Sequence, residues 1–112
     1  KQFGRVIGSF QAAKHMCAEM AAELEPCYAI VWHAAHCFSN VPEEARLMAC
    51  QSKSHVSEVG KMVSKKATEV HGGMGFTDLL GLHYWFKRIG MNRQLLGSPE
   101  IVREEAGRIQ GF

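Results

Sequence analysis

Apolar residues recur at steps of three and four along most of the chain, which is the spacing of one face of an α-helix. The first such stretch covers about residues 6–38 and predicts one long helix. Pro26 lies inside it, removes one backbone hydrogen bond and is expected to kink the helix. The apolar stripe of this first helix consists of Phe10, Ala13, Cys17, Met20, Ala21, Leu24, Tyr28, Val31, Ala35 and Phe38.

A second long helix is predicted from a break at residues 39–42 to about Val70. Asn40 followed by Glu43 forms the pattern of a capping box, and Pro42 suits a first helical turn. Gly72 and Gly73 are expected to end the helix. The apolar stripe of this second helix consists of Ala45, Met48, Ser52, Val56, Val59, Val63, Ala67 and Val70.

The remaining chain predicts a helical stretch over about residues 78–95 and a last helix opened by Ser98, Pro99 and Glu100. Their apolar positions are Leu79, Leu82, Trp85, Phe86 and Ile89, then Ile101, Val102, Ala106 and Ile109. No strand pattern, repeat or linker interrupts the series. The prediction is an all-α fold, an up-down helical bundle of three main helices and a shorter one. Three helices leave much of this apolar surface uncovered, so we expect another helix or subunit against it.

Composition narrows the class of protein further. The chain has 112 residues, 46% hydrophobic and 21% charged, and a net charge of +2, which is too small to indicate a nucleic-acid surface. The most apolar stretch, residues 27–38, is about half the ~20 residues that cross a bilayer, so no membrane span is expected. Because the chain begins with Lys1 and is short for a large cofactor enzyme, we expect a processed chain or part of a longer protein.

Cysteine and histidine patterns give no strong site. The four cysteines include no CxxC pair, and we expect free, buried or half-buried thiols in a reducing compartment. His33 and His36 share a helix face beside Cys37. A metal site there would need further ligands from another element, and no HExxH spacing occurs, so no metal is predicted.

The sequence also shows no pattern typical of an acid–base catalytic site. The glutamates and the run Lys61, Lys65 and Lys66 are expected to lie on solvated helix faces, and no nucleophile stands beside a base. Residues 71–77, HGGMGFT, do not follow a strand and are not GxGxxG, which excludes a Rossmann or Walker loop. They are either a tight turn that ends a helix or a place where the backbone approaches a ligand.

Read in order, these segments resemble the C-terminal domain of acyl-CoA dehydrogenases. Residues 1–5, KQFGR, followed by Phe10 and Gln11, resemble the R-x-x-FG segment and the FQ of the next helix. Residues 67–77, ATEVHGGMGFT, resemble the signature A-x-Q-x-h-G-G-x-G-(F/Y)-T, and residues 86–88 resemble the basic pair after it. The resemblance is collinear and covers essentially residues 1–112, without the first helix of that four-helix domain.

The resemblance implies a FAD-dependent enzyme that oxidises an acyl-CoA thioester to the 2,3-enoyl thioester, usually as a tetramer. The domain would supply tetramer contacts and part of a neighbouring subunit's FAD site. It also implies acyl-CoA as substrate, an electron-transfer acceptor protein, homo- or hetero-oligomers and a cytoplasmic or mitochondrial matrix location. The cofactor-binding residues carried over from the family are Gln2, Phe3, Glu69, Gly72 and Gly73, with Ser98 and Glu100 as weaker matches.

Three departures from the family pattern bear on function. The arginine of R-x-x-FG would precede Lys1, and Glu69 replaces the usual Gln. Leu96 (or Leu95) stands where many members carry the catalytic glutamate, so no catalytic residue is assigned. The open alternatives are a base on a preceding helix, a non-catalytic assembly subunit of a heteromeric enzyme, a related acyl-CoA oxidase or nitroalkane-oxidising flavoenzyme, and a helical module without flavin. The 112 residues alone are expected to be inactive.

Overall fold

The structure, a computed structural model, describes residues 1–112 and contains four α-helices and no β-strand. The all-α prediction is therefore confirmed. Short 3₁₀ turns occupy Ile7–Ser9, Gly72–Phe76 and Asp78–Leu80. The α-helices are α1 (Gln11–Asn40), α2 (Pro42–Val70), α3 (Leu82–Gln94) and α4 (Pro99–Ile109).

The first two helices form an antiparallel hairpin. Lys66 of α2 pairs with Glu19 of α1, and the Ser52 hydroxyl donates to the Ile30 carbonyl at 3.2 Å. The start of α1 therefore meets the end of α2, and we call this region, residues 1–11 and 69–76, the open end of the hairpin. The other end, around Val41, is the turn end. A helix of 30 residues is about 45 Å long, so the two ends lie far apart.

The connection between α1 and α2 is shorter than predicted. Asn40 is the last residue of α1, and its side-chain amide donates to the His36 carbonyl at 3.1 Å. The capping box with Glu43 is therefore wrong. Val41 alone separates the helices, with φ −138° and no side-chain cap. Pro42 disfavours helical backbone at the residue before it, which accounts for the break at Val41.

The start of the first helix also differs from the prediction. The residues before Gln11 form the 3₁₀ turn Ile7–Ser9, and Phe10 is extended at φ −79°, ψ 135°. The helix runs without interruption through Pro26. The end of α2 agrees with the prediction, because α2 stops at Val70 and Gly72 takes a left-handed φ of 59°.

The predicted stripe of α2 is confirmed as the face that packs within the chain, since all eight positions are buried or half-buried. The stripe predicted on α1 is wrong for most of its positions. Its members Ala13 and Met20 are half-buried, and the rest of the inward face includes Cys27, Ile30 and Cys37, which lie outside the predicted stripe. The exposed members of the predicted stripe are Cys17, Ala21, Leu24, Tyr28, Val31, Ala35 and Phe38. Helical periodicity identifies an apolar face but not which neighbour covers it.

Helices α3 and α4 both pack on α2. Cys50 of α2 is buried with Val102 and Ala106 of α4, and these three residues form the hydrophobic core cluster of the chain. On the α3 side, Ile89 lies close enough to Gly60 that an added Cβ would touch it at 3.4 Å. The central helix of the fold is therefore α2.

Much apolar surface stays open, as the stripes predict. Only ten residues are buried, and the accessible surface of 8021 Å² exceeds the about 6,200 Å² typical of a compact protein of this mass. The radius of gyration is 17.4 Å, against about 13 Å for a compact domain of this length. Trp85 and Phe86 of α3 and Ile101 of α4, all predicted apolar positions, are exposed. No helix has the length and hydropathy of a membrane span.

The predicted exposure of the cysteine thiols and of the lysine run is confirmed only in part. All four cysteines are free, but Cys17 is exposed rather than buried or half-buried, because its face of α1 has no neighbour. Burial, with a smaller contribution from the Glu23 carboxylate, raises the pKa of the Cys27 thiol. Lys66 is half-buried rather than solvated, because its ammonium group pairs with Glu19.

Candidate functional site

The predicted cofactor-binding residues fall into two groups. Five lie at the open end of the hairpin, because the antiparallel arrangement brings the N-terminal segment to the end of α2. Ser98 and Glu100 lie at the turn between α3 and α4, which Arg93 ties to Glu58 in the middle of α2. Glu58 precedes Glu69 by eleven residues, about 16 Å along the helix. The five residues at the open end are Gln2, Phe3, Glu69, Gly72 and Gly73, all exposed.

A tight reverse turn holds the N-terminal pair. The N–H of Gln2 donates to the Arg5 carbonyl at 2.8 Å, and the N–H of Arg5 donates back at 3.2 Å. Phe3 and Gly4 have φ of 51° and 77°, the signature of a type I′ turn. Left-handed backbone is unfavourable for phenylalanine, yet the ring is 86% exposed. The turn therefore presents an aromatic ring to the surroundings at a local conformational cost.

The arginine of this turn stacks on a neighbouring ring. The Arg5 guanidinium lies 4.0 Å from the centroid of the Phe10 ring, and Phe3 meets the same ring edge-on at 6.3 Å. A cation over an aromatic face is attracted to the ring's negative quadrupole. These contacts fix the orientation of the turn relative to the start of α1.

The three glycines of residues 71–77 differ in what the fold requires of them. Gly72 adopts the left-handed backbone that ends α2. A Cβ on Gly75 would lie 2.5 Å from the Thr68 carbonyl oxygen, so this glycine allows the loop to pack on α2. A Cβ on Gly73 would meet no atom within 4 Å, and its φ is not positive. Nothing in this chain therefore requires glycine at position 73.

A groove of about 430 Å³ lies beside this loop, between the end of α2 and α3. Two ammonium groups and one carboxylate give its walls a net positive charge, and two aromatic rings supply apolar surface. Such a combination suits a ligand with an anionic part and a planar part. The side chains that line the groove include Lys65, Glu69, Phe76, His83, Phe86 and Lys87.

Sequence reasoning did not assign Lys65 or His83 to this site. Lys65 precedes Glu69 by four residues and so lies on the same face of α2, a spacing that offered a signal. His83 reaches the groove only because the left-handed Gly81, φ 65°, redirects the chain into α3. No sequence pattern indicated that change of direction.

The turn between α3 and α4 places Leu96 at φ 60° with its side chain 98% exposed. Left-handed backbone is rare for a bulky residue and often marks a functional position. A leucine has no group that accepts a proton. The turn therefore offers no base at this position.

Glu100 is held by the same turn. The Arg93 guanidinium donates to Glu58 at 2.7 Å and to Glu100 at 2.6 Å. The Ser98 hydroxyl, the Glu100 backbone N–H and Arg93 stabilise the ionised carboxylate and lower the pKa of Glu100 to about 2. This carboxylate is thus ionised and already partnered within the chain.

The family model and two of the curated relatives that match this chain point to acyl-CoA dehydrogenases. A family model described as "Acyl-CoA dehydrogenase, C-terminal domain" matches residues 1–110. The acyl-CoA dehydrogenase IpdE2 of Mycolicibacterium smegmatis is 32% identical over 109 residues, which cover 97% of this chain and 32% of the relative. The short/branched chain specific acyl-CoA dehydrogenase, mitochondrial, of Bos taurus is 33% identical over 90 residues, which cover 78% of this chain and 20% of the relative.

A third relative is named as part of an electron-transfer complex. The caffeyl-CoA reductase-Etf complex subunit CarC of Acetobacterium woodii is 38% identical over 76 residues, covering 68% of this chain and 20% of the relative. The chain thus spans about a third or less of the length of the curated relatives it matches.

Proposed function

The chain belongs to the acyl-CoA dehydrogenase family, through that family's C-terminal domain, and from this premise we propose that it forms the C-terminal part of a FAD-dependent acyl-CoA dehydrogenase. The reaction would be α,β-dehydrogenation of an acyl-CoA thioester. The observation that carries the proposal is the open end of the hairpin. There Gly73, which has no neighbour within 4 Å in its own chain, lies in the loop beside a positively charged, partly aromatic groove.

The residues of the groove fit the adenosine diphosphate half of FAD. Lys65 and Lys87 supply ammonium groups for the diphosphate, and Phe76 or Phe86 supplies a ring on which the adenine can stack. Gly73 leaves room for the cofactor at the backbone. When bound, FAD supplies the hydride acceptor of the reaction, and this chain's part is to bind and orient it.

Glu69 is the residue that fits the diphosphate least, because two negative charges repel each other. Its carboxylate can instead accept hydrogen bonds from ribose hydroxyl groups. Gln2 and Phe3 precede the start of α1, at the same end of the hairpin, and would complete the binding surface. Arg93 joins Glu100 to Glu58, which lies about 16 Å along α2 from Glu69. Ser98 and Glu100 would therefore contact a different part of a flavin.

The open end of the hairpin would bind the FAD of a neighbouring subunit. Neighbouring subunits would lie against this chain because its apolar faces are exposed. The exposed stripe of α1 and the exposed aromatic residues of α3 would supply tetramer contacts. The full-length enzyme would also have an electron-transfer acceptor protein as its partner. The relative named as a subunit of an Etf complex supports that partner.

A non-catalytic assembly subunit of a heteromeric dehydrogenase is the second candidate. The observation that favours it is Leu96, which stands at the family's usual position for the base and has no proton acceptor. In that case the chain would complete a partner's FAD site without removing a proton. The acyl-CoA-dependent reduction of an electron-acceptor dye separates the two candidates. Turnover by the purified full-length protein alone supports the catalytic chain, and turnover only with a partner chain supports the assembly subunit.

Gly73→Ala in the full-length protein tests the cofactor site. We expect FAD affinity to fall about tenfold or more, equivalent to about 1.4 kcal/mol, because the new methyl group meets the cofactor. Titration of the apoprotein with FAD measures the change. The matched control is Gly90→Ala in α3, an exposed glycine that also has no neighbour within 4 Å. Equal FAD affinity in Gly73→Ala and the wild type contradicts the proposed site, and a full-length protein that binds no flavin contradicts the proposed function.

A further inference from the structure

A cluster of metal-ligand side chains lies at the turn end of the hairpin, far from the groove. His33 and Cys37 belong to the end of α1, and Glu44 belongs to the first turn of α2. One ligand atom from each of these residues lies within 4.8 Å of the other two. We propose that His33, Cys37 and Glu44 form a binding site for a borderline-soft divalent cation, with Zn²⁺ as the best match.

The three donor types fit this class of cation. Thiolate, imidazole and carboxylate are the side-chain ligands that Zn²⁺ uses in proteins. The Cys37 Sγ lies 3.7 Å from the His33 Nε2. Tetrahedral bond lengths of about 2.3 Å to sulfur and 2.0–2.1 Å to nitrogen place the two ligands about 3.6 Å apart. This pair therefore already has the separation of two zinc ligands.

The third ligand needs little movement. Glu44 is exposed, and its carboxylate moves by rotation about side-chain bonds while the α2 backbone stays in place. The other two residues are four positions apart on α1, so the helix itself holds them on one face. Three protein ligands leave the fourth tetrahedral position for water.

The burial pattern gives an ion a path to the site. Cys37 is completely buried and forms the floor, whereas His33 and Glu44 are exposed and form the rim. The neighbouring His36 is engaged by the Asn40 side chain at 3.2 Å, so it is the less available of the two histidines. The His-x-x-x-Cys spacing was visible in the sequence. The carboxylate from a second helix was not, because it depends on the one-residue connection at Val41.

A bound ion would join α1 to α2 at the turn end. A ligand that binds only the folded state stabilises that state, and the stabilisation grows as the ligand concentration rises above the dissociation constant. Zn²⁺ would therefore raise the melting temperature of the protein. The effect is expected to be independent of flavin binding, which the proposed function assigns to the other end of the hairpin.

The test uses the untagged full-length protein with its flavin, freed of metal by a chelator and titrated with Co²⁺ and Zn²⁺. We expect one Co²⁺ per chain, with thiolate-to-cobalt charge-transfer absorption, and a higher melting temperature with Zn²⁺. His33→Gln and Glu44→Gln are exposed substitutions that should leave folding intact. Each should weaken binding about tenfold or more.

His36→Gln and Glu43→Gln are the matched controls, since they remove the same groups one to three positions away. Both should bind the ion as the wild type does. The proposal is overturned if the wild type takes up no equimolar Co²⁺, if the thiolate absorption is absent, or if His33→Gln and Glu44→Gln bind as tightly as the two controls.

Discussion

Gly75 and Gly73 differ in what surrounds them, although they stand two positions apart in one loop. The first lies against the Thr68 carbonyl of its own chain, and the second faces open space. The motif HGGMG predicts either a tight turn that ends a helix or close approach of the backbone to a ligand. It does not say which glycine serves the fold and which is free for another molecule. Only the path of the chain after α2 separates the two roles.

Gly75→Ala should therefore lower the free energy of unfolding by about 1–3 kcal/mol, because the methyl group clashes with a backbone oxygen that the α2 helix holds in place. Urea unfolding of the full-length protein without added FAD measures the change. Gly73→Ala is the control and should stay within about 0.5 kcal/mol of the wild type. Equal losses in both variants would show that the loop packs differently.

Arg93 connects three helices at the scale of secondary-structure elements. It belongs to α3, and its guanidinium binds Glu58 of α2 and Glu100 of α4. The sequence predicted all three helices and the Ser98 start of α4. It gave no sign of these two ion pairs, because the three residues lie on different helices and each resembles an ordinary surface charge.

This arrangement predicts a dependence of stability on pH. The pKa of Glu100 is about 2 in the folded protein, below its ordinary value of 4.5. The contribution of this carboxylate is therefore fully present above about pH 4.5 and is lost as the pH falls toward 2. Glu100→Gln should flatten the fall in unfolding free energy between pH 5 and pH 3, measured by urea titration at each pH.

Ser98→Ala is the companion variant, because the Ser98 hydroxyl is the largest cause of the lowered pKa of Glu100. It should flatten the same profile to a smaller extent. A Glu100→Gln profile with the same slope as the wild type would mean that this carboxylate is not held in the folded state.

Helix α1 shows the limit of hydrophobic patterning for a single element. Its predicted stripe is real in the sequence, but Tyr28 and Phe38 point away from the rest of the chain. Most of the inward face consists of residues outside that stripe, including Cys27, Ile30 and Cys37, and the stripe member Met20 also faces inward. Small side chains let the α1 and α2 backbones approach, so α1 has one face for α2 and another that is open.

The whole molecule is elongated, 57 × 25 × 23 Å, and keeps much of its apolar surface in contact with solvent. A protein whose buried core is this small gains little from hydrophobic burial alone. The open faces of α1 and α3 are therefore expected to be covered in the assembled protein. This expectation rests on the proposed function as a tetramer-forming domain.

Placing charge on the open face of α1 should disrupt that assembly. We expect the double variant Tyr28→Glu and Val31→Glu of the full-length protein to shift from tetramer toward smaller species, because two carboxylates would be buried without partners. Light scattering coupled to size-exclusion chromatography measures the mass. Lys14→Gln, a polar substitution at an exposed position of the same helix, should leave the mass unchanged. A tetramer with both glutamates in place would mean that this face lies outside the interface.

The sequence by itself determined the helical class, the packed face of α2, the glycine stop after Val70 and the resemblance that the family comparison confirms. These features depend on neighbouring residues or on ordered motifs, which a sequence displays directly. Tertiary structure alone decided which face of α1 is covered, which glycine of the loop is free, and which charges Arg93 joins. It also decided that Glu44 of α2 lies beside His33 and Cys37 of α1. Each of these depends on how the helices and the loop pack against one another in space, which local sequence patterns do not fix.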